Sequence, residues 1–302
     1  MTRSSLRDAI AERPVVLDGG LATLLERHGH DLSSDLWSAR LLRDDPAAIE
    51  RAHREFFAAG AEVATTASYQ VSFEGFGATG VDRDEVEQLL RRSVELAAAA
   101  RDAVAPHSWV AASVGPYGAF LADGSEYTGR YGVPKARLRS FHAGRLELLV
   151  AAEPDLLAVE TIPDTDEAEV LVELLDQLDL PAWFSYSVKG STTNAGQPLH
   201  EAYALLAGHG SVIAAGVNCS RQADVLGAVR EAVAATGLPA VAYPNRGGSW
   251  DSESTSWSYG DALDLDLVED WVAAGAKLVG GCCGTGPSDI AALADRVGRR
   301  SD

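Results

Sequence analysis

Residues 156–188, LLAVETIPDTDEAEVLVELLDQLDLPAWFSYSV, decide the fold class. The run Leu156 to Glu160 is short and apolar and ends on a carboxylate. After Thr165, leucines at positions 171, 174, 175 and 178 recur at helical spacing. Pro181 stops that helix, and Ala182 to Val188 reads as a second strand. Strand, helix and strand within about 30 residues form a βαβ unit with parallel strands.

The same unit repeats outward in both directions. Upstream strands are expected at Val15 to Asp18, Glu62 to Ala67 and Trp109 to Val114, and downstream ones at Val212 to Asn218, Ala240 to Tyr243 and Lys277 to Gly280. Helix punctuation falls between them. Asp45-Pro46 opens a segment with Ile49, Ala52, Phe56 and Ala59 on one face, and Gly60 closes it. Another begins near Asp82 and carries Val86, Leu89, Leu90 and Ala97. Eight strands alternating with helices match a closed parallel barrel better than an open doubly wound sheet. The expected fold is therefore α/β, a single (β/α)8 TIM barrel over residues 1–302. Two segments break the rhythm, Gly115 to Gly132 and Lys189 to His200. Both follow strands, so they are expected as loops at the carboxyl face, where barrel enzymes keep their substrate loops.

Composition narrows the partners. With 302 residues, 46% of them hydrophobic, the chain can bury a large core. Its 25 Lys+Arg against 44 Asp+Glu give a net charge of −19, which repels phosphate backbones and anionic membrane surfaces while attracting cationic small molecules. Nucleic acid is excluded as a partner on that ground. The longest uncharged stretch, Ala202 to Ser220, is interrupted by Gly208, His209, Gly210 and Ser211, so no membrane span is expected. Met1 to Val16 is charged throughout, unlike an export signal, and a cytoplasmic location is expected. No glycine-rich loop follows a strand at dinucleotide-binding spacing. His28, His30, His53, His107, His142, His200 and His209 are scattered and read as surface or loop residues.

The three cysteines carry the chemistry. Cys219 follows the sixth strand, and Cys282 and Cys283 follow the eighth, in Gly280-Gly281-Cys282-Cys283-Gly284. Residues just beyond barrel strands point into the common mouth, so three thiolates should meet there. Such a set suits Zn²⁺ and leaves a fourth position open, placing a zinc site at the C-terminal face. Two other readings of the cysteines stand beside it: small buried apolar groups, and a redox pair at Cys282 and Cys283 that lacks the spacer of active dithiols. Three thiolates donate so much charge that the metal activates water poorly. A coordinated substrate thiol, by contrast, is deprotonated outright. The predicted chemistry is alkylation of a thiol, preferably by a cationic donor.

These motifs closely resemble the homocysteine S-methyltransferase family along nearly the whole chain. Besides Asn218-Cys219 and the Gly-Gly-Cys-Cys-Gly motif, the resemblance rests on four more segments. They are Leu17-Asp18-Gly19-Gly20, Thr65-Thr66-Ala67-Ser68-Tyr69-Gln70, Gly115-Pro116-Tyr117-Gly118 and Glu160-Thr161-Ile162-Pro163. Tyr69-Gln70 and Leu121 to Tyr127 look more like the branch using S-methylmethionine than the betaine branch. The resemblance implies zinc on Cys219, Cys282 and Cys283, and methyl transfer from a sulfonium, S-methylmethionine or S-adenosylmethionine, to homocysteine, giving methionine. It also implies that Asp18, Thr66 and Glu160 hold the amino-acid end of homocysteine, with Trp37 and Ser38 lining that pocket and Asn218 beside the metal ligand positioning substrate. Asn245 is a second polar candidate near the metal. A sulfonium has no N–H groups, so aromatic faces should receive it, with Trp37, Tyr69, Phe73, Tyr117 and Tyr127 as candidates.

The chain departs from the family pattern twice. Arg246-Gly247-Gly248 stands where many relatives read Ser-Gly-Glu, and Thr161 stands where the betaine branch has a zinc-reaching Tyr. Competing assignments are a barrel taking its methyl from betaine or a corrinoid or folate carrier, and a zinc-stabilised binding module without catalysis.

Overall fold

A computed structural model describes residues 4–32, 37–77, 80–251, 256–259 and 262–298, and the side chains at 37–39, 248–251 and 256–259 lie outside that description. Eight parallel strands form the sheet: β1 (Val15–Val16), β2 (Val63–Thr65), β3 (Trp109–Val114), β4 (Leu156–Ile162), β5 (Ala182–Tyr186), β6 (Val212–Asn218), β7 (Ala240–Tyr243) and β8 (Ala276–Val279). Each strand pairs with its sequence neighbour and β8 pairs with β1. A parallel bridge from Leu17 to Val63 joins β1 to β2, so the sheet closes on itself as a TIM barrel.

The sequence pattern explains the layers. Helices α1 (Leu6–Glu12), α2 (Leu21–Arg27), α3 (Trp37–Asp44), α4 (Pro46–Ala58), α5 (Phe73–Gly77) and α6 (Arg83–Val104) accompany the first three strands. They are followed by α7 (Tyr117–Leu121), α8 (Lys135–Ala151), α9 (Thr165–Leu175), α10 (Leu199–Ala204), α11 (Gln222–Thr236), α12 (Leu265–Ala273) and α13 (Pro287–Gly298). Asp45, Asp82 and Asp164 accept hydrogen bonds from the first free amides of α4, α6 and α9, which fixes where those helices start. Ile49, Ala52 and Phe56 of α4, and Val86, Leu89, Leu90 and Ala97 of α6, are buried in the layer between helices and sheet.

A second, smaller apolar cluster fills the barrel itself. Trp109 and Ala111 of β3, Leu156 and Ala158 of β4, Trp183 of β5, Val241 and Tyr243 of β7 and Leu278 of β8 belong to it, every other residue along each strand. Helix α1 plugs the amino-terminal end with Leu6, Ala9 and Ile10, and the Trp109 indole N–H donates to the Ser4 carbonyl there at 3.0 Å. One end is thus sealed by apolar packing. The inward series continues at the other end with polar residues: Ser113 after Ala111, Glu160 after Ala158 and Ser185 after Trp183.

The two segments that broke the sequence rhythm lie after β3 and β5. The first holds α7 and a one-turn 3₁₀ helix, Ser125–Tyr127, and the second holds a short hairpin, Val188–Lys189 with Thr192–Thr193, before α10. The histidine expectation needs correction at two positions. His53 and His142 are fully buried, because they lie on the inner faces of α4 and α8, and His142 pairs with the equally buried Glu167 at 2.8 Å. Among the described residues no helix is long and apolar enough to cross a membrane.

Trp183 is fully buried at the barrel centre, with its N–H bonded to the Tyr243 hydroxyl at 3.0 Å. Trp183→Ala is expected to lower unfolding free energy by about 3–5 kcal/mol in urea titrations. A loss below about 1 kcal/mol would show that packing inside the barrel is not what stabilises it.

Candidate active site

The three sulfurs meet above the polar end of the barrel. Cys219, directly after β6, has a φ of 47°, a left-handed conformation that a non-glycine residue adopts at a cost. After β8 the chain is pinned by hydrogen bonds from Gly280 N to Ala242 O at 3.1 Å, Gly281 N to Asp18 O at 3.2 Å and Cys282 N to Pro244 O at 2.8 Å. A Cβ at Gly281 would lie 2.3 Å from the Thr285 side chain, so the tight passage into the two cysteines requires glycine. Asn245 fixes the second of them, accepting from Cys283 N at 3.2 Å.

The sulfurs of Cys219, Cys282 and Cys283 all lie within 4.8 Å of one another, and Cys219 Sγ is 3.9 Å from Cys283 Sγ. Thiolates held tetrahedrally at about 2.3 Å from a zinc ion would be about 3.8 Å apart, so the spacing fits a metal. The electrostatics agree. Donation from Cys282 and Cys283 holds the Cys219 thiol well below its ordinary range, while the same cluster pushes Cys282 and Cys283 well above theirs. Without a cation the cluster carries one negative charge easily and resists three. All three thiols lose their protons together only when positive charge is placed among them.

Below the sulfurs lie two buried carboxyl groups. Asp18 does not cap α2, whose N-cap is Gly20. It accepts instead from Thr65 N at 2.7 Å and Thr65 Oγ1 at 3.0 Å. Glu160 accepts from the hydroxyls of Ser113 and Tyr243, the latter at 3.1 Å, and no basic side chain pairs with it among the described residues. Burial pushes Asp18 up to about 8, with the charge of Glu160 adding to the rise, and burial pushes Glu160 up to about 7. Two further polar groups support this floor. Asn218 Oδ1 accepts from Thr161 N at 2.6 Å and Ser185 Oγ at 3.0 Å, and its Nδ2 donates to Thr161 Oγ1 at 2.7 Å. Thr66 Oγ1 accepts from Ser113 N at 3.0 Å and bonds Ser68 Oγ at 2.7 Å.

The five aromatic candidates divide. Tyr127 brings its hydroxyl to 3.6 Å from Cys219 Sγ. Tyr69 is hydrogen-bonded to Thr161, and besides burial the charges of Glu126, Cys219 and Glu160 raise its hydroxyl well above the ordinary range. Tyr117 does not reach the sulfurs. It packs against Phe120, Tyr131 and Phe141 behind the site, and its hydroxyl bonds Arg137. Phe73 is covered by the Arg83 guanidinium, 4.0 Å from the ring centroid. Trp37 and Ser38 begin α3, and their side chains lie outside the described residues. Arg246, one of the departures from the family pattern, donates its N–H to Cys283 O at 2.9 Å and places its guanidinium 3.6 Å from Asp289.

Sequence reasoning did not single out Ser113, Ser185 and Tyr243, which orient the carboxyl and amide groups. Their signal was inward parity, counted from Trp109, Trp183 and Val241.

In the substrate-free protein Asp18 keeps a proton that the unfolded chain releases near 3.8 and the folded chain releases near 8. Folding stability from this group is therefore full at low pH and is lost as pH rises through that window. Relative to Asp18→Asn, which does not titrate, wild-type unfolding free energy should fall by about 1.4 kcal/mol per pH unit across the middle of the window. Urea titrations of both proteins at several pH values measure this, and a difference independent of pH would mean the carboxyl is ionised throughout.

Comparison with known proteins agrees with this geometry. The sequence profile described as Homocysteine S-methyltransferase matches residues 15–297. Homocysteine S-methyltransferase of Escherichia coli strain K12 is 44% identical, over 93% of this chain and 94% of that one. Homocysteine S-methyltransferase 4 of Zea mays is 43% identical over 93% and 89% of the two chains. The metallated form of the Escherichia coli homocysteine methyltransferase MmuM superposes with a TM-score of 0.87 at 41% identity, covering 96% of this chain and 99% of that one.

Proposed function

The chain belongs to the homocysteine S-methyltransferase family, and we propose that it moves a methyl group from a sulfonium donor, S-methylmethionine foremost and S-adenosylmethionine second, to the thiol of L-homocysteine, giving methionine. The observation that carries this reading is the meeting of three cysteine sulfurs, within 4.8 Å of one another, above the buried carboxyl pair Asp18 and Glu160. Zinc, held by Cys219, Cys282 and Cys283, supplies when bound the positive charge that ionises the homocysteine thiol at neutral pH.

The protein's own residues orient the acceptor. Asp18 and Glu160 receive the homocysteine ammonium, a charge that repays the cost of ionising them in the barrel. Ser113, Tyr243 and Thr65 hold those carboxylates in place, so little rearrangement is needed when substrate arrives. Thr66 adds a hydroxyl to the same end of the substrate. Asn218, with one amide hydrogen already given to Thr161, keeps a second to offer.

Transfer is a single in-line displacement. A lone pair of the homocysteine sulfur forms the new S–CH₃ bond while the donor's S⁺–CH₃ bond breaks, and that electron pair stays on the donor sulfur as a neutral thioether. With S-methylmethionine both products are methionine. No general acid is needed, because the leaving group departs uncharged. Thiolate and sulfonium cancel as they react, so a site that excludes water favours the transition state over the separated charges. Tyr127, which reaches Cys219, and Tyr69, which feels its charge, supply the faces for the sulfonium.

Cys282→Ala should abolish both zinc retention and methyl transfer, as read by metal analysis of reduced protein and by methionine formation. Wild-type levels of either overturn the assignment. Glu160→Gln should retain zinc but raise the KM for homocysteine about ten- to hundred-fold, the loss of one charge-assisted hydrogen bond. An unchanged KM would remove Glu160 from the acceptor pocket. Assays of homocysteine with S-methylmethionine, S-adenosylmethionine and betaine separate the donors, and activity confined to betaine would overturn the sulfonium reading.

A further inference from the structure

One buried acid in the mouth of the barrel has no task in the transfer described above. Glu126 lies in the 3₁₀ turn Ser125–Tyr127 after β3, within the stretch Leu121 to Tyr127 that looks more like the S-methylmethionine branch than the betaine branch. It is 2% exposed, and its Oε2 has no hydrogen-bond partner. The position is built into the fold. A Cβ at Gly118 would lie 2.4 Å from Glu126 N, so the turn seats directly on α7 at a point only glycine allows. The next residue, Tyr127, reaches Cys219 Sγ at 3.6 Å. Burial raises Glu126 to about 7, and the charge of Cys219 adds to the rise. The charges of Glu126, Cys219 and Glu160 all act on the Tyr69 hydroxyl, so these groups lie near one another.

An unpartnered carboxylate oxygen buried beside a sulfur cluster calls for a ligand with an N–H donor and positive charge. No basic side chain offsets Asp18, Glu160 or Glu126 among the described residues. The homocysteine ammonium accounts for the first two. A sulfonium centre has no N–H to give Oε2, whereas an α-ammonium has three. We propose that Glu126 is a specificity-determining residue that receives the α-ammonium of the methyl donor and so selects amino-acid sulfoniums over sulfoniums or betaines without that group. The inference rests on the sulfonium-donor reading above.

Calorimetric titration of the zinc-loaded protein with S-methylmethionine and with its deamino counterpart, 4-(dimethylsulfonio)butanoate, tests it without turnover. Wild type should bind S-methylmethionine at least about tenfold more tightly. Glu126→Gln should bind the two alike, with zinc content and homocysteine affinity within about twofold of wild type. Glu126→Asp, which keeps the charge but retracts it by one methylene, should keep part of the preference, and it serves if the Gln variant fails to fold. Equal binding of both ligands by wild type overturns the inference, as does a preference that survives in Glu126→Gln or a loss of homocysteine affinity in its place. Wild type that binds neither sulfonium overturns the donor reading and this inference with it, an outcome distinct from either of the others.

Discussion

Acidic groups are gathered at one end of this barrel with no basic side chain paired to them among the described residues. Asp18 and Glu160 are buried, the three cysteines crowd one point, and Glu126 adds a further acid, yet none of these carboxyl groups has a basic partner among the described residues. Proteins usually bury acids in pairs with Arg or Lys, because an unpaired buried charge costs several kcal/mol, on the order of 3–5 when a partner is removed. The half-buried Glu62 and Asp155, by contrast, meet arginines. The unbalanced end is held together by neutral donors: the backbone N–H and hydroxyl of Thr65 and the hydroxyls of Ser113 and Tyr243. These keep the acids in position, and the compensating charge is left to arrive with ligands.

That arrangement depends on strained backbone at the ends of β4 and β6, the two strands that flank β5. Thr161 has a φ of 60° and Cys219 a φ of 47°, each costing about 1–3 kcal/mol for a non-glycine residue. Asn218 ties the two together, since its side chain bonds both the backbone N–H and the hydroxyl of Thr161 while its own chain leads into Cys219. Strain at the end of β4 is therefore held by hydrogen bonds that reach across β5 from β6. The sulfur of Cys219 is aimed by that clamp rather than by a flexible loop, which keeps the cluster preorganised.

Much of this was legible in the sequence, and the reasons differ by element. Strands β3, β6 and β7 match their expected limits because each is a continuous apolar run bounded by polar or small residues. Once eight such runs alternate with helices, barrel closure dictates that residues following β6 and β8 converge, and the cysteines could be placed without knowing any distance. The opposite holds for Tyr117 and Phe73. Their aromatic character suggested a cation site, but helices α7 and α5 turn them outward onto Phe141 and Arg83, and helix orientation within a connecting segment has no periodic signature. His53 and His142 failed for a related reason: a lone histidine on an otherwise apolar face reads as polar, yet both faces are buried, and for His142 the buried Glu167 supplies the partner. Glu126 was invisible as an isolated acid because its burial comes from a turn made by left-handed Ala122 and Gly124 and seated on Gly118.

A mouth lined with buried acids also constrains how a zwitterionic substrate sits. Both homocysteine and an amino-acid sulfonium carry a carboxylate, which the acids repel, so each molecule must enter with its ammonium toward the barrel interior and its carboxylate toward neutral N–H and O–H donors or solvent. For the acceptor, the ammonium position proposed at Asp18 and Glu160 fixes the end from which the side chain must rise, and the sulfurs lie above that floor. The same field favours a cationic donor over a neutral one. Methyl transfer then removes the donor's positive charge, so the neutral thioether it leaves is held less tightly than the sulfonium that entered. A site charged in this way binds its donor and releases its product by the same electrostatic term.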